Sequence, residues 1–278
     1  MDKNFDGDQG QKERGFVQFM SRHLVAMVGD YESYQQSGEL LHRGMFVFSG
    51  FVIELHDNWF WTTAGHCLED YLETPVRNGV MKILGSGFAD YFGPDARSQS
   101  IIPFTYQIGD GFYVQKPELG LDFALVRLPD LLRRNLEHNG VIPIIRKNWV
   151  YQDTLEFSLY RMLGFPTHLV TEPEHDEKGV LQPGTMQPVL LAIDRIEQQE
   201  VGGEAASAWF EGRIDPRIDI PSIEGMSGGP IFGFRRNDEG RWSYHVVALQ
   251  SRWLKKQRIV HGCSLPAFAE TVFRDLGA

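Results

Sequence analysis

Cysteine is scarce in this chain: 278 residues carry two, Cys67 and Cys263. One bridge is the most they could form, which excludes a fold held together by a disulfide framework. Positive charge is also in deficit, the formal net charge being -10. That argues against a nucleic-acid binder, whose electrostatic footprint is basic, and against attraction to an anionic membrane surface. No segment approaches the roughly 18 apolar residues needed to span a bilayer. Met1 to Gly15 is polar and lacks a basic stretch followed by an apolar one, so no secretory signal is expected. Together these absences predict a soluble acidic protein of a reducing cytoplasmic compartment, with neither nucleic acid nor membrane among its partners. His261-Gly262-Cys263 holds two metal-binding residue types without further ligand spacing, so no metal and no cofactor is expected.

What is present favours strands. The chain is 42% hydrophobic and 12% aromatic, with 29 glycines, and its short apolar segments are broken by Gly, Pro and Asp-rich turns. It is long enough for one large core or two small ones. Residues 1-15 read as a disordered or loosely packed lead. Phe16 to Met27 fits an amphipathic helix through Val17, Met20, Leu24 and Met27, or a first strand ending at Val28; periodicity does not separate the two. Asp30 to Arg43 is polar and reads as a loop. Strands are expected over Met45-Ile53, Trp59-Thr62, Gly79-Leu84, Ile101-Tyr106, Phe112-Val114 and Asp122-Leu128, with a short helix in Pro129 to Gly140. Leu159 to Pro166 opens a second half. A surface loop over Thr171 to Pro188 follows, then strands at Val189-Ala192, Ser207-Phe210, Pro230-Phe234 and Tyr244-Gln250. Phe268, Val272, Phe273 and Leu276 make a helical stripe in 266-276, expected to pack on the second half.

Three short patterns carry chemistry. Trp61-Thr62-Thr63-Ala64-Gly65-His66-Cys67 brings a histidine to the end of a buried segment. Leu121-Asp122-Phe123-Ala124-Leu125 sets an aspartate at the head of an apolar strand. Gly225-Met226-Ser227-Gly228-Gly229-Pro230 places a serine among glycines. Singly, each has a bland reading: a rim histidine, a strand-capping aspartate, a tight turn. Taken in order as His, Asp and Ser, they resemble the trypsin/chymotrypsin-like serine peptidases, and the resemblance covers roughly residues 20 to 262. It implies two antiparallel six-stranded β-barrels with a C-terminal helix, an all-β fold. The first barrel, within 16-140, would carry His66 and Asp122; the second, within 141-278, would carry Ser227, the site lying in the cleft between them. The disulfide that many secreted members place beside the catalytic histidine cannot form, because the preceding strand has Phe48-Ser49-Gly50 and no cysteine. Cys67 reads as a small buried hydrophobe.

The chemistry implied is physically coherent. A serine hydroxyl is almost wholly un-ionised near neutral pH and needs a base in hydrogen-bond reach, itself held in one tautomer by a third group. Ser227 is then the nucleophile, His66 the base and Asp122 its orienter, with the N–H groups of Gly225 and Ser227 as the oxyanion hole. Ser251 resembles the family's serine that bonds the catalytic aspartate, and the backbone from Ser251 through Arg252 to Trp253 would pair with substrate as an added strand. The G-x-S-x-G of an α/β-hydrolase elbow is also matched, but Gly228-Gly229-Pro230 is a poor helix start and no supported Asp and His follow.

In the family, the residue six before the nucleophile lies at the base of the S1 pocket, here Pro221 followed by Ser222. No carboxylate is available to pair with a basic side chain, so a non-basic P1 residue is expected. Glu224 near the rim would recruit a cation and Arg252 an acidic side chain. Met226 stands where the family's N-terminal zymogen latch needs an aspartate, so that switch is not expected, and regulation would act by ordering loops through a partner protein. The implied function is a serine endopeptidase acting on a protein or peptide substrate. Its rivals are a catalytically silent or partner-activated binding module and an esterase using the same triad.

Overall fold

Strand after strand in this chain is short and antiparallel, as its turn-rich sequence requires. The computed structural model describes residues 14-90, 101-149, 156-171, 174-175, 181-182, 185-196, 209-236 and 239-276. Most of the expected N-terminal lead lies outside them. A helix α1 over residues 14-21 precedes β1 (Ala26–Tyr34), so the 16-27 stretch is helix at its start and strand at its end, and Leu24 and Met27 of the expected helical stripe lie beyond the helix. Phe16 and Phe19 of α1 set their rings against Phe234 and Tyr244, tying the helix to the C-terminal half.

β1 pairs with β2 (Leu40–Phe48) as a hairpin. This corrects the loop expected over Asp30 to Arg43. Its polar residues belong to strands with one wet face, where cross-strand charges pair: Glu32 accepts from Arg43 Nε at 2.8 Å and from Tyr34 Oη at 2.5 Å. The single strand expected over Met45-Ile53 is likewise two, because Ser49-Gly50 breaks the run before β3 (Phe51–Leu55). β4 (Asn58–Thr63) leads into a one-turn helix α2 (Gly65–Leu68), and a second short helix α3 (Thr74–Arg77) follows. Then come β5 (Met81–Ala89), β6 (Ile102–Pro103), β7 (Gly111–Lys116), β8 (Leu121–Arg127) and helix α4 (Asp130–Asn139).

The C-terminal half opens with β9 (Leu159–Gly164). Within the expected 171-188 loop, four two-residue strands pair off. β10 (Val170–Thr171) pairs with β13 (Thr185–Met186), and β11 (Glu174–His175) with β12 (Leu181–Gln182). β14 (Val189–Arg195), β15 (Trp209–Ile214), β16 (Pro230–Arg236), β17 (Trp242–Leu254) and β18 (Ile259–Ser264) complete the strands, and α5 (Leu265–Leu276) ends the description. Ser207 and Ala208, expected to begin β15, fall outside the described residues.

Six strands close into a barrel in the order β14-β15-β18-β17-β16-β9. The two closed barrels expected from the sequence are therefore corrected to one. Among the described residues the N-terminal half forms two open four-stranded sheets, β2-β1-β5-β6 and β3-β4-β8-β7. The break at Ser49-Gly50 is the physical reason: β2 does not run on into β3, and the sheets meet through a Leu24–Phe51 bridge and a bond from Val25 N–H to Gly50 O at 2.9 Å.

One core crosses the boundary between halves. Phe51 and Phe123 of the open sheets share an apolar cluster with Phe232 and Leu249 of the barrel and Phe268 of α5. Phe123 and Phe268 meet edge to face at 4.7 Å, so the C-terminal helix packs on both halves rather than on the barrel alone. Among the described residues no helix is long and apolar enough to cross a membrane.

Candidate active site

The site is assembled where that shared core reaches the surface. Ala64 is extended, with φ -71° and ψ 143°, and α2 begins directly after it, which swings His66 out of the end of β4. Asp122, the second residue of β8, is 3% exposed. Its carboxylate grips the histidine twice: the His66 backbone N–H donates to Oδ1 at 2.9 Å and the ring Nδ1–H donates to Oδ2 at 2.7 Å. An ionised carboxylate can only accept, so the proton sits on Nδ1 and Nε2 is left as the free base. Ser251 Oγ donates to the same Asp122 Oδ2, a bond that links the barrel strand β17 to β8.

The electrostatics follow from this geometry. Burial opposes charging His66, but the hydrogen bond from the ring to Asp122 and the negative charge beside it prevail, and the histidine pKa is raised above its ordinary value. Burial pushes the Asp122 carboxyl the other way too; bonding to His66 and Ser251 overcomes it and holds the carboxyl below the usual carboxylate range. A histidine that takes up a proton here is met by a fixed negative partner.

Ser227 stands at the tip of the loop before β16, and a cleft of about 540 Å³ is lined by His66, Asp122, Ser227 and Ser251 together. Its loop is fitted against the N-terminal half. Gly228 has φ +89°, and a Cβ there would lie 2.1 Å from Thr63 Oγ1 and 2.3 Å from Ser49 O. Only glycine lets the serine approach the histidine's own segment so closely. Gly225 also takes φ +89°, turning the chain ahead of Ser227. Cys67, buried beside His66, points its Sγ at Ser227 O at 3.9 Å.

Two expected substrate contacts are placed elsewhere. Pro221 is exposed, and Ser222 spends its Oγ accepting the Glu224 N–H at 3.2 Å. Neither lines the cleft, whose wall is made instead by Ile223, Glu224, Gln250, Arg252 and Trp253. The Arg252 guanidinium lies 5.7 Å from the centre of the Trp209 ring, a cation–π contact. β16 accompanies β17 only as far as the Pro230–Leu249 pair. On that edge no strand among the described residues pairs with 251-254, which leaves the backbone free to take an added strand. His261 Nε2 lies 3.3 Å from Glu211 Oε1 across β15 and β18.

Ser49 is a contributor that sequence reasoning passed over. It is fully buried, donates from Oγ to Gly225 O at 2.7 Å, and accepts the Phe165 N–H at 2.9 Å. One hydroxyl from the N-terminal half thus pins the glycine turn that precedes Ser227. Its only sequence signal is a polar residue interrupting an apolar run. Ser49→Ala should strand a buried donor and a buried acceptor and cost about 1–3 kcal/mol. Thermal denaturation reads this, and an unshifted melting temperature would show that the pin is dispensable.

No family model matches the chain, and no curated protein matches it either. Solved structures do. A protease from M. tuberculosis in its active form is 14% identical, with 95% of this chain and 85% of that chain covered at a TM-score of 0.44. The protease Anisep from Arthrobacter nicotinovorans is 14% identical, over 91% and 94% of the two chains, at 0.47. A Glu endopeptidase is 11% identical, over 90% and 91%, at 0.47. All three are proteases. Likeness of this depth leaves mechanism and substrate to the residues of this chain.

Proposed function

We propose that this protein is a serine endopeptidase, hydrolysing peptide bonds through a His66-Asp122-Ser227 triad and an acyl-enzyme intermediate. The observation that carries the reading is the double grip of Asp122 on His66, reinforced by Ser251, at the wall of the cleft that also holds Ser227. A carboxylate so placed fixes the tautomer and leaves Nε2 to take the Ser227 proton as Oγ attacks the scissile carbonyl. The carbonyl oxygen, now an oxyanion, is met by the N–H groups of Gly225 and Ser227, each worth roughly 3 kcal/mol. The imidazolium then protonates the leaving amine, and water repeats the cycle on the ester. Substrate runs along the free edge of 251-254 as an added strand. P1 is non-basic, since no carboxylate is offered from the Pro221–Ile223 segment. No cofactor enters this scheme.

A fluorophosphonate probe that labels Ser227, together with turnover of a fluorogenic peptide library, tests the assignment. Labelling without peptide turnover would favour an esterase, and neither labelling nor turnover would favour a silent binding module.

Activation is expected to need no new N-terminus. Met226, directly before Ser227, is fully buried in the barrel's apolar core and packs against Gly164. A buried ammonium delivered there would find no carboxylate and would cost several kcal/mol. Protein with residues 1-15 intact, even carrying an N-terminal tag, should therefore label with the probe. Mass spectrometry of the labelled protein checks that its N-terminus is uncut; labelling that appears only after trimming would establish a proteolytic latch. Regulation, where it exists, acts on loop order, with a partner protein as its agent.

A further inference from the structure

Gln250 and Trp253 line the cleft, and each carries a buried polar atom that has no partner among the described residues: Gln250 Oε1, an acceptor, and Trp253 Nε1–H, a donor. Gln250 is only 2% exposed. Leaving either atom unpaired costs free energy, and a cleft that leaves both unpaired is incomplete until something else fills it.

The strand geometry brings the two to one face. β17 pairs with β18 at Gln250–Gly262 and then at Arg252–His261, so Ser251 is an extra residue in the ladder. Such a bulge places two consecutive residues on the same side. Ser251 turns toward Asp122 and Arg252 toward Trp209. Trp253 is thereby returned to the face of Gln250 and Ala248, and it packs on the cluster that holds Ala248, Ile223 and Met226. Gln250 is also fixed end to end by backbone bonds to the nucleophile loop: its N–H donates to Gly229 O at 2.9 Å, and its C=O accepts the Gly228 N–H at 2.8 Å. Gln250 and Trp253 therefore share the cleft with Ser227, in a wall that Ile223 and Glu224 complete.

We infer that this wall is a subsite for a carboxamide side chain, so that the peptide is cut after glutamine or asparagine. The inference rests on the peptidase reading and narrows its non-basic P1. A carboxamide carries an acceptor and a donor on adjacent atoms, and it satisfies the two orphans at once: its C=O takes the Trp253 N–H, and its NH2 donates to Gln250 Oε1. A carboxylate satisfies the indole but leaves Gln250 Oε1 unpaired unless the amide turns over to present its NH2. A cation satisfies Gln250 and repels the indole N–H. An apolar side chain leaves both unpaired, and sites built around buried polar groups reject such ligands strongly. The charges near the cleft do not replace this pairing, because Asp70, Glu224, Arg252 and Lys255 are all exposed to water, the last two lying over the Trp209 and Trp253 rings.

The test uses the full chain and peptides that differ only at P1, as Gln, Asn, Glu, Leu and Arg, with fluorophosphonate labelling of Ser227 run in parallel. The expected result is kcat/KM for Gln or Asn at least tenfold above the other three. Gln250→Leu and, separately, the size-preserving Trp253→Phe should each cut the Gln-to-Leu ratio about tenfold. Circular dichroism checks that each variant is folded. Labelled enzyme that prefers Glu, Leu or Arg would overturn the subsite and leave the triad standing. Absence of both labelling and cleavage would overturn the triad, and the subsite with it. A ratio unmoved in a folded Trp253→Phe protein would also overturn it, whatever becomes of Gln250→Leu.

Discussion

Replacing Ser227 by alanine should lower kcat by about a million-fold while leaving the melting temperature nearly unchanged. The size of the loss follows from how the triad works: its members act as a unit, so removing the nucleophile forfeits almost everything the unit supplies. His66→Ala should fall to a similar level, since a hydroxyl without its base is un-ionised and inert. The small structural cost follows from position. Ser227 is half-buried at the tip of its loop, and the loop is held by its neighbours: Gly228 N–H bonds Gln250 O, and Gly229 N–H bonds Met226 O. Burst kinetics with an ester substrate, on protein checked by circular dichroism, measure both parts. Near-normal hydrolysis by folded Ser227→Ala protein would end the peptidase assignment.

Asp122→Asn should cost about ten-thousand-fold in kcat and change the pH profile as well. An amide can donate to Nδ1 and so favour the wrong tautomer, with the proton on Nε2. The sign of the pH effect comes from the raised His66 pKa. His66 must be neutral to accept the serine proton, so activity rises as pH passes upward through its pKa. In the native protein that acid limb should therefore lie above about 6.5, the ordinary histidine value. Without the carboxylate, burial is left to dominate and the limb should move to lower pH. A kcat/KM profile of both proteins reads the shift, and an unmoved limb would show that Asp122 does not set the histidine's charge. Ser251→Ala, which removes only one of the bonds that hold the carboxyl down, should leave the limb near its native place, because Asp122 keeps its charge in that range.

How much of this was legible beforehand depends on the range of the signal. His66, Asp122 and Ser227 each sit in a local pattern, and the structure sets them around one cleft. Ser251 was readable in the same way. The α5 helix followed from apolar spacing, which tertiary context here reinforces. Asp30 to Arg43 was misread because a strand with a wet face spends its charges on cross-strand pairs such as Glu32 with Arg43, and a polar run then looks like a loop. The open first half was missed for another reason. Barrel closure depends on whether ladders continue through positions such as Ser49-Gly50, and no residue count reveals that. Pro221 was placed by analogy of spacing, whereas the wall of the cleft is set by a bulge at Ser251 that shifts which side chains face inward. Ser49 and Gln250 matter through partners more than a hundred residues away or through the lack of any, and a linear reading carries neither.

The pin from Ser49 to Gly225 has a consequence for how this protein loses function. His66 belongs to one half and Ser227 to the other, and polar bonds such as this one join the halves over a common apolar floor. Parting the halves would also open the apolar cluster that Phe51, Phe123, Phe232 and Phe268 share, so contact between the halves and the fold of each are coupled. That coupling makes the seam between the halves the natural place for another molecule to act as a throttle, closing or wedging it without touching the triad.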